Sequence, residues 1–495
     1  MLLGIDSGQT SLKAVIFTEE GRAIGAASRQ SHTIANRPHW VERDASSVND
    51  QMCEAIADAL HAAAVTGAEI RAIGIVGHGD GLYLVGADGH PTRRAILALD
   101  TRAEHVLEVW KQDGSVARGV EATGQQPFAA SLAPLARWLI DNEPEVMERT
   151  RWLLYCKDWL RFCLTGEVGT DFSEANSSVG ALDGRSYSRE ALDAYGISEI
   201  AELLPPALRA TDVAGGVLPD MAARTGLHVG TPVVVGTHDS VASVLGIGAS
   251  ASGSYSALAG TYSVNNLVSA RRVIDPRWQA RPWIEDDRWV LMGASPASVT
   301  NFEWYMRTQM ENVLDPIAVA NSEVEQALTE DSRMIFHPFL FGSPQGGHAS
   351  ASLLGVQGWH SRRHVLRAIW EGVVFNHRTH LDAFSRSDEN RVIRLAGGAA
   401  KSFVWAQMFA DGLASEVEVT QSDEPGALGG AMLAGVGSGV YSSADEAERA
   451  CVRLSERYVR DESQLARWRD AYLVYSESVE LLSGLWGRLD PGSAR

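Results

Sequence analysis

Apolar and polar residues alternate in short blocks from the start of the chain. Leu2–Ile5 and Ala14–Phe17 are β-branched and aromatic runs on either side of the polar stretch Asp6, Ser7, Gly8, Gln9, Thr10, and a Glu-Glu-Gly turn follows Phe17. Strand, turn, strand, turn, strand is the pattern of an antiparallel hairpin meander. Past Ser47 the period lengthens: Val48, Met52, Ile56, Ala59 and Leu60 share one face of a predicted helix, with Ser47 as its expected cap and Asp50 three residues on. A short apolar strand, Ala72–Val76, then ends in the glycine turn GHGDG, and Leu82–Val85 forms the next strand. The run TPVVVGTHDS predicts a buried strand over Pro232–Val235 with its polar residues just past the end.

The second half repeats this plan. SGSYSALAGTYSVNNLVSARRV is again strand, Gly-Thr turn, strand. Farther on, Ser361 is the expected cap of a long helix carrying Val365, Leu366, Ile369, Trp370, Val373 and Leu381, and the strand Val392–Ala396 runs into GGAAKS, which opens another helix. Two copies of one plan in 495 residues predict two domains. The small-residue stretch GIGASASG marks the join, giving domains over 1–247 and 248–495. The last six residues, 490–495, are expected to fray.

Composition narrows the function classes. With 45% hydrophobic residues the chain suits a packed globular protein, and its net charge of -19 disfavours nucleic acid or an anionic membrane surface as partner. Any phosphate must then be held by local devices: backbone amides, a few cations or Mg2+. The four cysteines, Cys53, Cys156, Cys163 and Cys451, form no CxxC pair and are expected to be buried free thiols. No apolar run approaches the ~20 residues of a membrane span, so a cytoplasmic protein is expected. A P-loop, GxxxxGK[ST], is absent from the sequence, and Gly246-x-Gly248-x-x-Ala251 imitates a dinucleotide fingerprint in the wrong context, after a helical stretch.

Four groups of residues can carry chemistry. In the first, Asp6 ends a strand, and Ser7, Gly8, Gln9 and Thr10 make a turn able to cradle phosphate oxygens while the carboxylate holds Mg2+; an ordinary hairpin tip reads the same way. In the second, Asp239, beside His238, stands directly after a buried strand, where ligands of α/β sheets bind. It suits a base for phosphoryl transfer and equally a cap for the next helix. The third is His78, Gly79 and Asp80 in GHGDG with Asp100 and Arg102 in LDTRA, polar groups able to hydrogen-bond several hydroxyls. The fourth is Gly397, Gly398 and Ala399, a turn between strand and helix that lets a flat ligand approach the backbone.

In this order the motifs resemble the FGGY carbohydrate kinases of the actin-like ATPase superfamily, over nearly the whole chain. GIDSGQTSLKAVIF resembles the family's first phosphate motif, GTHDS its catalytic-aspartate motif, AGTYS its second phosphate turn, and AGGAAKSFVWAQMFAD with EPGALGGAMLAG its adenosine region. KDWLRFCLTG and the stretch 351–371, with Gly355, His364, Ala368 and Glu371, match further family elements. Leu135 stands where the family has a Lys three residues before a Trp, here Trp138, and GHGDGLYLV replaces the Met-His-Gly form of D-xylulose kinases. GHGDGLYLV and AILALDTRA are closer to the L-xylulose and erythritol kinase branches.

The resemblance implies two ribonuclease-H-like α/β domains, each a five-stranded mixed sheet flanked by helices, with ATP and sugar in a cleft between them. It implies Asp6 near Mg2+, Gly8 to Thr10 at the γ-phosphate, Gly260 and Thr261 at the β- and γ-phosphates, and Gly398 and Ala399 at the adenosine. His78, Gly79, Asp100 and Arg102 would contact the sugar, Asp239 would take the hydroxyl proton, and the protein would be a homodimer. The expected activity is ATP-dependent phosphorylation of a ketopentose, L-xylulose or D-xylulose, to its 5-phosphate. Erythritol or glycerol is the alternative substrate. A silent sugar or nucleotide sensor is the alternative of another class, against which stands the presence of both Asp6 and Asp239.

Overall fold

The early blocks form the strands that their pattern predicts. In a computed structural model describing residues 1–285, 288–344, 349–384 and 391–489, β1 (Leu2–Ser7), β2 (Ser11–Phe17) and β3 (Ala23–Gln30) make an antiparallel meander with Ile5 opposite Ala14. Helix α1 (Ala45–Ala63) follows. Its cap is Asp44, whose carboxylate accepts from the amides of Ser46 and Ser47, so the helix starts ahead of the Ser47 expected from the apolar period. Strand β4 (Ala72–Gly77) then lies parallel to β1, with Ile75 beside Ile5. Later come β5 (Val213–Gly216), β6 (Pro232–Val234) and helix α2 (Asp239–Gly246). The sheet order is β5-β6-β4-β1-β2-β3. Five of these strands are the expected set; β5 is an added sixth, pairing antiparallel with β6 and covering its free edge.

The second half rebuilds the plan. β7 (Tyr255–Ala259) and β8 (Ser263–Ser269) are the Gly-Thr hairpin, and β9 (Trp289–Ser295) lies on its far side. Helix α3 (Arg362–Phe384) precedes β10 (Val392–Gly397), which runs parallel to β7. Helix α4 (Phe403–Gly412), β11 (Glu416–Thr420), helix α5 (Pro425–Gly437), β12 (Leu454–Tyr458) and helix α6 (Leu465–Leu489) complete it. This sheet has seven strands, not the expected five: Gln279–Pro282 lies at the edge beside β9, the run β9-β8-β7-β10-β11 repeats the first sheet's central pattern, and β12 is added beyond β11. Residues 490–495, expected to fray, lie outside the described residues.

By contacts the chain divides into two units. Unit 1 is Met1–Ser250 with Ser269–Leu291 and Glu424–Val452; unit 2 is Ala251–Val268, Met292–Asp423 and Arg453–Arg495. Unit 1 therefore takes α5 from late in the chain. One face of its sheet packs the apolar side of α1, Val48, Met52, Ile56 and Ala59. Helix α5 meets β1 and β4 so closely that a Cβ at Gly4 would lie 1.8 Å from the carbonyl oxygen of Ala427, and one at Gly74 1.9 Å from that of Gly430. Only glycine allows this approach. A second apolar cluster in unit 1, with Leu84, Ile96, Trp110, Leu135, Leu153 and Tyr195, supports the segment that bears the GHGDG and LDTRA residues. Among the described residues no helix is long and apolar enough to cross a membrane.

Candidate active site

The turn after β1 is shaped from behind. Gly8 N–H donates to the carbonyl of Ser11 at 2.9 Å, and Arg43 Nη2 donates to the carbonyls of Gly8 (3.3 Å) and Gln9 (2.5 Å). Because the peptide unit is planar and trans, carbonyls drawn toward Arg43 aim the N–H groups of Gln9 and Thr10 the opposite way, as an anion cradle needs. Arg43 is itself buried, and nothing in the local sequence marks it for this task. Asp6, at the end of β1, is pushed up to about 7, first by burial and then by the charge of Asp239, with Lys13 opposing. Lys13 is held 2.6 Å from Glu424.

Asp239 opens α2 directly after the β6 strand end. The chain reaches it through Gly236, at φ +76°, where a Cβ would lie 1.8 Å from the carbonyl oxygen of Ile75. The carboxylate is 32% exposed, and its Oδ1 is 2.9 Å from His238 Nδ1. Burial pushes Asp239 upward most strongly, but the His238 imidazole together with His78 and the Ser240 amide outweighs it and holds the group below the usual carboxylate range. Asp6 and Asp239 thus have opposite tendencies, one poised to share a proton or cation and the other kept ionised.

A buried ionic frame fixes this loop. Lys157 and Asp158 are fully buried, with Lys157 Nζ 2.6 Å from Asp158 Oδ1 and 3.0 Å from Asp171 Oδ1. Asp171 Oδ2 accepts from the hydroxyls of Ser173 (2.5 Å) and Thr237 (2.9 Å), and Ser173 Oγ accepts from His238 N–H at 3.2 Å. The KDWLRFCLTG motif therefore supports the loop that carries Asp239 from a distance.

The sugar-binding candidates fall into two groups. His78 is buried, and its Nε2 has no hydrogen-bond partner. Beside it, burial pushes the Cys156 thiol up, yet His78, Arg43 and the Ser7 hydroxyl together bring it down to about 7. Asp80 has a left-handed φ of +57°, a conformation that Asp tolerates better than most side chains. Both its oxygens are engaged: Oδ1 accepts from Ser177 Oγ at 2.7 Å, and Oδ2 from Arg281 Nη2 at 3.1 Å. Arg281, fully buried, also donates to the carbonyl of Ser173 at 2.8 Å, tying GHGDG to the frame of the Asp239 loop. Glu174 is buried with neither oxygen hydrogen-bonded, and burial pushes it well above the ordinary glutamate range against the pull of Arg281 and Lys157.

In the second group, Asp100 is saturated. Its Oδ1 accepts from Arg102 N (2.9 Å) and Nε (2.8 Å), and its Oδ2 from Arg102 Nη2 (2.7 Å) and Val41 N (2.6 Å). Arg102 Nη2 also donates to Glu42 at 2.8 Å, and the guanidinium lies 3.8 Å over Trp40 and 5.1 Å from Trp138. Its Nη1 is buried and has no partner. Asp100 thus spends its oxygens holding Arg102 and the Val41 amide. Arg281, Glu174 and Arg43 were beyond sequence reasoning, because each is joined to the site by contacts distant in the chain.

Unit 2 carries the other glycine turns. Gly260 and Thr261 form the tip of the β7–β8 hairpin, where a Cβ on Gly260 would meet only open space. Gly397, at φ +93°, ends β10; a Cβ there would lie 2.4 Å from the carbonyl oxygen of Ala259 and 3.1 Å from Gly260 N, so the two turns are in contact. Gly398 and Ala399 begin the short 3-10 turn Gly398–Lys401. Beside it lies a cavity of about 350 Å³, lined by Gly397, Ala400, Lys401, Thr420 and Asp423 among others. Among the described residues no group of three or more His, Cys, Asp or Glu could hold a metal ion. A cation at Asp6 would therefore take one carboxylate and complete its shell with phosphate oxygens and water, the habit of Mg2+.

Two sheets of the same order, an amide-bearing turn beside a carboxylate and an ionised Asp at a helix start define a phosphotransferase of the actin-like ATPase type. Residues 1–246 match the FGGY family of carbohydrate kinases, N-terminal domain, and residues 256–438 its C-terminal domain. The chain is 33% identical to the L-xylulose/3-keto-L-gulonate kinase of Escherichia coli (strain K12), covering 98% of each. It is 30% identical to a probable L-xylulose kinase of Haemophilus influenzae, over 98% of this chain and 99% of the other. The ligand-bound xylulose kinase of Lactobacillus acidophilus shares the fold, with a TM-score of 0.89, 21% identity and 99% of both chains covered. The chain belongs to the FGGY family of carbohydrate kinases and is an ATP-dependent sugar kinase.

Proposed function

We propose that the protein phosphorylates a ketopentose, L-xylulose first and D-xylulose second, to the 5-phosphate. The observation that carries this reading is the Asp239 carboxylate, kept ionised at the start of α2 with a third of its surface open. Asp239 takes the proton of the substrate hydroxyl as its oxygen bonds to the γ-phosphorus, and the bond from phosphorus to the bridging oxygen breaks to release ADP. Arg102 Nη1 and His78 Nε2, both buried donors or acceptors without partners, hydrogen-bond the sugar. The amides of Gln9 and Thr10 receive the γ-phosphate, Gly260 and Thr261 the β- and γ-phosphates, and Gly397, Gly398 and Ala399 border the adenosine. Mg2+, held by Asp6, would neutralise phosphate charge; the raised Asp6 carboxyl fits a site that gains a cation. The names of the relatives at 33% and 30% identity favour L-xylulose over D-xylulose.

A coupled ADP-release assay with Mg-ATP against L-xylulose, D-xylulose, L-ribulose, erythritol and glycerol tests the substrate. Highest kcat/KM on L-xylulose is expected; a clear preference for erythritol or glycerol overturns the ketopentose reading. In the same assay Asp239→Asn is expected to lower kcat by about 10²–10⁴-fold while ATP still raises the melting temperature. Near-full turnover removes Asp239 from the mechanism.

A further inference from the structure

His238 touches both Asp239 and the GHGDG turn. Its side chain is only 8% exposed, and Nδ1 lies 2.9 Å from Asp239 Oδ1. The same nitrogen is the acceptor toward which Ser240 N–H points, at 3.0 Å. One nitrogen thus faces an acceptor and a donor, and a hydrogen on Nδ1 selects the carboxylate. The other edge of the ring covers the face of Gly79: a Cβ there would lie 2.2 Å from His238 Nε2, 2.3 Å from Cδ2 and 3.2 Å from Glu174 Oε2. The ring has little freedom to withdraw. Its backbone N–H is bonded to Ser173 Oγ at 3.2 Å, and residue 238 bridges Gly77, one residue ahead of the GHGDG side chains.

We propose that His238 is a positioning residue that sets the base and the sugar-binding turn in register. Nδ1–H donates to Asp239 Oδ1 and so turns the second carboxylate oxygen to the substrate hydroxyl. The imidazole also occupies the volume that a side chain at position 79 would need, so Gly79 and His238 are a matched pair. This rests on Asp239 being the base. The second effect is not legible in the motif GTHDS alone, since the partner Gly79 is supplied by another strand end.

Steady-state kinetics on the preferred sugar, with melting curves as a folding control, test the proposal on His238→Asn, His238→Ala, Gly79→Ala and the double Gly79→Ala/His238→Ala. The asparagine amide can stand where Nδ1 stands, so His238→Asn is expected to keep kcat within about fivefold, whereas His238→Ala loses about 10–100-fold in kcat with sugar KM moved less than about threefold. Gly79→Ala is expected to lower kcat/KM by more than about tenfold in the wild-type background and by much less once the ring is gone, the non-additivity of residues in contact. Equal losses in His238→Asn and His238→Ala, a loss confined to KM, or a Gly79→Ala penalty that is the same in both backgrounds overturns the proposal. If the wild type turned over none of the sugars, the same cycle read on melting temperature would still decide the matched pair, so failure of the kinase reading stays separate.

Discussion

Asp6 and Asp239 show how neighbours divide the work of two carboxyl groups. Burial acts on both, but Asp239 has the His238 imidazole beside it and Asp6 has Asp239. A carboxyl raised on folding favours the folded state while protonated; that contribution is complete below the unfolded value of about 4 and is lost as pH rises through about 7. Asp6→Asn is therefore expected to melt higher than the wild type at pH 8 without metal, with the gap closing toward pH 4.5, while its turnover is lost. A gap independent of pH would contradict the burial argument. Asp100 belongs to the same scale. Since its four hydrogen bonds serve Arg102 and Val41, Asp100→Ala is expected to raise sugar KM through a misaimed Arg102, with ATP KM little changed. Separate titrations of the two substrates check this.

Glycines govern the elements. Gly397 must adopt φ +93° and pass 2.4 Å, measured from a built Cβ, from the Ala259 carbonyl. Gly397→Ala should deform both unit-2 turns, raising ATP KM by at least about tenfold while sugar KM moves little. A change in sugar KM alone would detach this turn from the nucleotide. The strand and turn at this site were legible in the order Val392–Ala396 then GGAAKS, because β period and glycine punctuation act over a few residues. The start of α1 was not: Ser47 fits the apolar period, but Asp44 reaches the first free amides, so the helix begins at Ala45. The duplication was also legible, whereas β5 and β12 were not, since an edge strand is recruited by the free edge it covers.

At the scale of the molecule, chain order and compact units part company. Unit 1 includes Glu424–Val452, and its α5 packs on β1 and β4 through Gly4 and Gly74. A fragment ending at residue 247 would expose that face of the sheet. It is expected to show no cooperative melt, and adding residues 424–452 through a linker is expected to improve it; a sharp melt of the fragment alone would refute this dependence. The sequence by itself determined the repeated strand-turn plan, the absence of a P-loop, the kinase family through its ordered motifs, and Asp6 and Asp239 as candidates, because these lie in local patterns. The tertiary structure alone decided that Arg281 holds Asp80 from 201 positions away, that Asp100 spends its oxygens on Arg102, that His238 faces Gly79, and that α5 belongs to the first unit. Those are choices of partner made by burial and close packing, and a side chain's neighbours across the fold leave no period in the chain.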